Sequence, residues 1–135
     1  MQRDPKVEIS LMAMRLATAA FLLVWAADKF VNPQHGQAVL GAFYGMKGVS
    51  SQIVLGLGIA QLLLVVAFAT GWQRFWTYGA VLLMHCVTTI VSVWKLIPPF
   101  GPSANILFWA GVPVLAGLFA LFVLRDRDRM LSIDR

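Results

Sequence analysis

The chain is predicted to be an all-α integral membrane protein, an antiparallel bundle of four transmembrane helices with a short interfacial segment in its first loop. Three observations lead there. Of its 135 residues, 59% are hydrophobic and only 13% charged, against roughly a quarter charged in an ordinary soluble domain. The apolar residues gather in four runs, each close to the roughly 20 residues that cross a bilayer. The basic residues collect at the ends of those runs, where topology determinants belong. The formal charge of +5 therefore reads as a membrane signature, with the lipid bilayer as partner and no nucleic-acid site. Four spans in a chain of this length leave no room for a soluble catalytic domain.

The first run is Ile9 to Ala27. Its leader, MQRDPKVEIS, is of mixed charge, and Trp25-Ala26-Ala27 is a poor cleavage site, so it is read as a permanent helix and not a secretory signal. The loop from Asp28 to Gln52 is the longest and opens with Asn32-Pro33. Ala38, Val39, Leu40, Ala42, Phe43, Tyr44 and Met46 make it apolar enough for an interfacial helix, a candidate lid over the outer end of the bundle. The second run is Ile53 to Thr70, where Gly56, Gly58 and Ala60 suggest a small-residue packing face. Gly71 to Arg74 allows only a tight hairpin into the third run, Phe75 to Trp94. Pro98-Pro99 and Gly101-Pro102 stiffen the next turn. The fourth run, Ile106 to Leu124, contains Pro113 and should bend there. At 1.5 Å per residue each run spans roughly 27 to 30 Å.

Four spans put both termini on one side. That face holds Arg3, Lys6, Arg74, Arg125, Arg127, Arg129 and Arg135, and the other holds Lys29, Lys47 and Lys95. The excess of basic residues places both termini in the cytoplasm, in a bacterial inner membrane. Trp25, Trp94 and Trp109 fall near the outer span ends, and Trp72 and Trp76 near the inner ends, as two interfacial belts require. The alternating Arg125 to Arg129 segment reads as a surface anchor on the cytoplasmic side.

His85 carries the strongest chemical signal. It lies near the middle of the third run, with Tyr78, Thr88, Thr89 and Ser92 on the same helical face. A polar stripe in lipid is costly unless it faces protein, water or a ligand, so the stripe should point inward. As a quinone ligand, His85 needs only a donor to a carbonyl oxygen, an apolar slot and a proton path through Tyr78, Thr88 and Thr89. A haem would need a second axial ligand at matching depth, and the other histidine, His35, is in the outer loop, which disfavours haem. A metal shared with Cys86 is weaker still, because adjacent helical residues point about 100° apart. Cys86 is the sole cysteine, so no disulfide forms within the chain.

Gln61 is near the centre of the second run, at a depth close to His85 if the two helices run antiparallel. Either the two pin neighbouring helices together, a bond of about 1 kcal/mol or less in a membrane, or they clamp one carbonyl of a ligand. Arg15, about 9 Å below its span edge by helical rise, either snorkels back to the headgroups or faces the interior. Asp28 and Lys29 read as a solvated helix end, with Lys29 favouring the C-terminal dipole, or as an outer docking or proton-entry site.

Several of these segments resemble the DoxX family of small four-helix membrane proteins. They are Arg15-Leu16 early in the first run, Asp28-Lys29-Phe30 followed by Asn32-Pro33 at its end, the basic turn Gly71-Trp72-Gln73-Arg74, and the closing Leu131-Ser132-Ile133-Asp134. Many members carry an acidic residue where Gln61 stands, so proton transfer at that position is not expected. The resemblance implies a link to membrane redox chemistry, since relatives include the membrane subunit of a quinone-linked thiosulfate oxidoreductase. The expectation is an integral membrane subunit that works with a partner redox protein and binds quinone through His85, Gln61, Tyr78, Thr88, Thr89 and Arg15. The alternative is a non-catalytic membrane scaffold or assembly factor. A homo-oligomer enclosing a solute path is the third expectation.

Overall fold

A computed structural model describes residues 4–134. Arg3 and Arg135, counted above for one face, lie outside the described residues. Every regular element among the described residues is helical: α1 (Pro5–Val31), α2 (Pro33–Tyr44), α3 (Ser51–Ala69), α4 (Arg74–Val91), the short α5 (Val93–Leu96), a 3-10 turn (Ile106–Ala110), α6 (Gly111–Val123) and a last 3-10 turn (Arg125–Arg127).

Capping chemistry, not apolarity, sets the helix ends. α1 starts four residues before its apolar run because the Asp4 side chain accepts from the Lys6 N–H and Pro5 occupies the first turn. It ends before Pro33, which biases Asn32 away from helical backbone. Ser50 caps α3 by accepting from the Ile53 N–H. Gly45, at φ +67°, ends α2 in the left-handed conformation that glycine adopts without steric cost.

Three stretches are long and apolar enough to cross a membrane: Pro5–Val31, Ser51–Ala69 and Ile106–Val123. The third predicted run is also helical, but its polar stripe lowers its apolarity and a break at Ser92 separates α4 from α5. The Thr88 and Thr89 hydroxyls donate to the carbonyls of Met84 and His85, four residues back. Such back-bonding bends helices. In the fourth run the irregularity expected of Pro113 takes the form of a 3-10 opening. Proline has no N–H to give the Trp109 carbonyl, and regular α-helix begins only at Gly111. Large apolar side chains such as Val24, Leu63, Leu83, Ile90 and Phe119 project outward. Such a surface is compatible with lipid.

α1 packs most extensively on α3, and α4 on α6, while α3–α4 and α1–α6 contacts close the ring. α1 turns Leu11, Arg15, Ala19, Leu22 and Ala26 inward, a helical stripe of three- and four-residue steps. The main core joins Leu11, Ala19 and Leu22 to Val65 and Phe68 of α3, Tyr78 and Val81 of α4, and Leu118 and Leu121 of α6. It lies toward the end of the bundle closed by the C-terminal tail, here termed the tail end; the opposite end is the loop end.

The expected small-residue face on α3 is corrected. Gly58 alone meets a neighbouring helix, where an added Cβ would approach Lys29 Cβ at 3.0 Å and the Phe30 ring at 3.2 Å. Gly56 has open space around it and Ala60 is exposed, because residues two apart on a helix do not share a face.

The lid expected in the first loop is α2, which crosses the loop end. Gly36 rests on Val54, the Phe43 ring lies 5.4 Å from that of Trp94 and 5.8 Å from that of Phe108, and the Tyr44 hydroxyl is 3.2 Å from Thr88 Oγ1. A Cβ at position 36 would come within 2.6 Å of Val54 Cγ1. Gly36→Val is therefore expected to lift α2 and cost about 1–3 kcal/mol. Thermal unfolding in lipid nanodiscs, with proteolysis of residues 33–50 as the local readout, measures it.

Candidate functional site

Two polar clusters occupy opposite ends of the bundle, one sealed and one accessible. At the tail end, Arg15 is fully buried, which excludes the snorkelling orientation. Its Nε donates to Asp128 Oδ2 at 2.9 Å and its Nη2 to Asp128 Oδ1 at 3.4 Å. The same guanidinium donates to the carbonyls of Ala69, Met130 and Leu131. Asp128 is also fully buried and accepts at Oδ2 from the Tyr78 hydroxyl at 2.8 Å. Arg74 donates to the Arg125 and Asp128 carbonyls. Two buried charges of opposite sign with their donors and acceptors met in this way form a lock. It ties α1, the end of α3, α4 and the tail together.

The tail continues across that turn. The Ile133 N–H donates to the Thr70 carbonyl, the Ser132 hydroxyl to the Gly71 carbonyl, and Asp134 accepts from the first N–H of α4 at Arg74. Within Arg125 to Arg129, read from sequence as a surface anchor, Asp126, Arg127 and Arg129 are exposed and two residues depart from that reading. Asp128 turns inward, and Arg125 lies over the rings of Phe75 and Phe122 at 5.2 and 4.7 Å.

The six residues expected to gather around one ligand are spread over the bundle. The polar stripe of α4 does point inward at Tyr78 and Ser92, which are buried, and at His85 and Thr89, which are half-buried; Thr88 is exposed. Tyr78 belongs to the tail lock. His85 Nε2 is 2.9 Å from the Gly111 carbonyl and joins α4 to α6. Thr88 and Thr89 donate to carbonyls of their own helix, and Thr88 Oγ1 also meets the Tyr44 hydroxyl of α2.

Gln61 does not meet His85. It lies on the inward stripe of α3 with Val54, Gly58, Val65 and Phe68, and the helix facing it is α1. Its Nε2 donates to the Leu22 carbonyl at 3.4 Å and its Oε1 accepts from Lys29 Nζ at 2.8 Å. The depth expected of Gln61 does not decide its partner, because α3 presents this face to α1 and not to α4.

Lys29 is the surprise of the loop end. The helix end is half-buried, and the Lys29 side chain folds back along α1 toward α3. Its ammonium donates to the Trp25 carbonyl at 3.2 Å and to Gln61. Helical side chains slant toward the N-terminus of their helix, so a lysine near the C-terminus is aimed inward. Its hydrogen-bond partners are neutral oxygens. Beside it, Asp28 Oδ2 is 2.6 Å from His35 Nδ1 of α2, and the His35 ring stacks on Trp25 with centroids 6.0 Å apart. Lys29 Nζ stands 6.0 Å from the same indole. Asp28, Lys29 and Gln61 are half-buried and Trp25 and His35 are exposed, so this cluster can be reached from outside.

No protein-family model, curated protein or solved structure matches the chain.

Every buried side-chain nitrogen and oxygen among the described residues has a hydrogen-bond partner within the protein. Arg15, Tyr78 and His85 thus serve contacts between segments, whereas Lys29 and Gln61 combine an inward cation with an open approach. Asp128 was missed from sequence because its segment reads as a polar tail. The signal was an aspartate within an arginine-rich stretch and an arginine inside the first span. An ionisable residue at membrane depth calls for a partner.

Proposed function

We propose that the chain is a DoxX-like, four-span integral membrane protein with cytoplasmic termini, acting as a non-catalytic scaffold within a larger membrane assembly. In this reading α4 and α5 supply the fourth crossing, and a polar stripe turned onto α6 and the tail removes the penalty of its lower apolarity. The single observation that carries the proposal is the engagement of Arg15, Tyr78 and His85 in contacts that tie separate segments together. Such groups make a small bundle rigid enough to present a fixed outer surface. The partner then supplies the chemistry.

His85→Leu tests it. Loss of one interhelical hydrogen bond should cost on the order of 1 kcal/mol of stability in a membrane, with the amount and activity of the partner assembly unchanged in native membranes. Unchanged stability together with lost quinone-dependent turnover would reverse the assignment and make His85 a ligand.

A second reading, a redox subunit that holds quinone for a partner redox protein, is favoured by the accessible pairing of Lys29 with Gln61 at the loop end. Both residues are donors that can serve a carbonyl oxygen.

A further inference from the structure

We propose that Arg74 and Arg125, where α4 and α6 meet at the tail end, form a binding site for the phosphate of an anionic membrane phospholipid.

The position is interfacial. Arg125 follows the apolar stretch Ile106–Val123 by two residues, and Arg74 opens α4. Trp72 and Trp76, on either side of Arg74 in sequence, are exposed, as indoles at headgroup level are. The two arginines adjoin, because Arg74 Nη1 donates to the Arg125 carbonyl at 2.8 Å. Both are half-buried.

Their charge is not met within the protein. A guanidinium has five N–H donors. Arg74 directs two bonds to the carbonyls of Arg125 and Asp128, and Arg125 directs one to the Phe122 carbonyl. These acceptors are all neutral, and among the described residues no carboxylate pairs with either guanidinium. Asp128 is taken by Arg15 and Tyr78, Asp134 by the Arg74 backbone N–H, and Asp126 is exposed. Arg15, Arg74 and Arg125 thus stand against the carboxylates of Asp128 and Asp134, which leaves an excess of positive charge. Cations withdrawn from water onto neutral oxygens call for an anion from outside.

Aromatic rings set the geometry. The Arg125 guanidinium lies over Phe75 at 5.2 Å and Phe122 at 4.7 Å, and those two rings are 5.8 Å apart. Stacking holds the planar group in place, so little freedom is lost when its free edge meets two oxygens of one phosphate. Beyond the rings, Leu83 of α4 and Phe119 of α6 are exposed and offer acyl chains an apolar wall. An acidic protein segment would answer the charge alone, whereas a phospholipid answers both the charge and the wall. Such a seat also differs from a diffuse basic surface, in which exposed Arg129 would count as much as Arg125.

The test titrates the whole protein in detergent micelles with phosphatidylglycerol or phosphatidylcholine and counts bound lipid by native mass spectrometry. Phosphatidylglycerol is expected to bind about tenfold more tightly, the scale of one charge-assisted hydrogen bond, and Arg125→Gln should remove that advantage. Arg125→Lys, which keeps the charge and loses the planar fork, should fall between the two, an intermediate affinity that a misfolded variant would not show. Arg129→Gln, which removes the same charge from an exposed neighbour, should leave the affinity unchanged. Native affinity in Arg125→Gln would overturn the site. Equal losses in Arg125→Gln and Arg129→Gln would overturn it in favour of diffuse surface charge, and equal binding of phosphatidylcholine in favour of unspecific partition. Displacement of the lipid by millimolar inorganic phosphate would overturn the lipid assignment in favour of a site for free phosphate.

Discussion

Asp128→Ala is expected to be among the most damaging single substitutions in the chain, destabilising it by about 3–5 kcal/mol, the cost of leaving a buried charge without its partner. Arg15 would keep its bonds to the carbonyls of Ala69, Met130 and Leu131, but no anion would balance it, and the Tyr78 hydroxyl would lose its acceptor. The tail would be held to α1 by those carbonyl bonds alone, and the residue-128 carbonyl that Arg74 grips would lose its side-chain anchor. Thermal unfolding in nanodiscs measures the loss. The double variant Arg15→Met with Asp128→Leu provides the diagnostic comparison. Replacing a buried ion pair by apolar side chains of similar volume is often neutral or stabilising, so the double variant should be more stable than Asp128→Ala. A double variant as unstable as the single would show that the tail is held by something other than this pair.

Gly71→Val is the second large effect. Gly71 has φ +65°, a conformation that costs a β-branched residue heavily, and an added Cβ would collide with Ser132 Oγ and approach Ser132 Cβ at 2.9 Å. Strain in the turn and expulsion of the tail act together, because the Ser132 hydroxyl also bonds the Gly71 carbonyl. The expected loss exceeds about 3 kcal/mol, above the usual range of point substitutions and traceable to a named conflict. Limited proteolysis should show cleavage after Arg127 and Arg129 before any cut in α1. Tail cleavage no faster than in the native protein would contradict the described seat of the tail.

Much of the bundle was legible because periodicity reports packing directly. The steps from Leu11 through Arg15, Ala19, Leu22 and Ala26 mark the buried side of α1, and Gln61 falls in the equivalent register on α3. The lid was legible from the apolar content of residues 38–46, and Pro33 and Gly45 fix its ends. Pairings across long stretches of sequence were not. Arg15 and Asp128 are 113 residues apart, and nothing local to either names the other. Gln61 and His85 lie on helices joined by a short turn, yet depth alone does not say which face each helix shows its neighbour. The inward course of Lys29 was readable in principle from the slant of helical side chains, but a lysine at a span end is ordinarily taken for an interfacial anchor.

The central claim is that this bundle serves an assembly, its buried polar groups holding helices and the tail in place. The most direct measurement is native mass spectrometry of the protein released from its own membranes in native lipid. The account predicts a complex in which the chain is accompanied by a different protein in fixed stoichiometry, preserved in His85→Leu and lost in Asp128→Ala. A chain that emerges only as a monomer or a homo-oligomer, whatever its lipid complement, would contradict it.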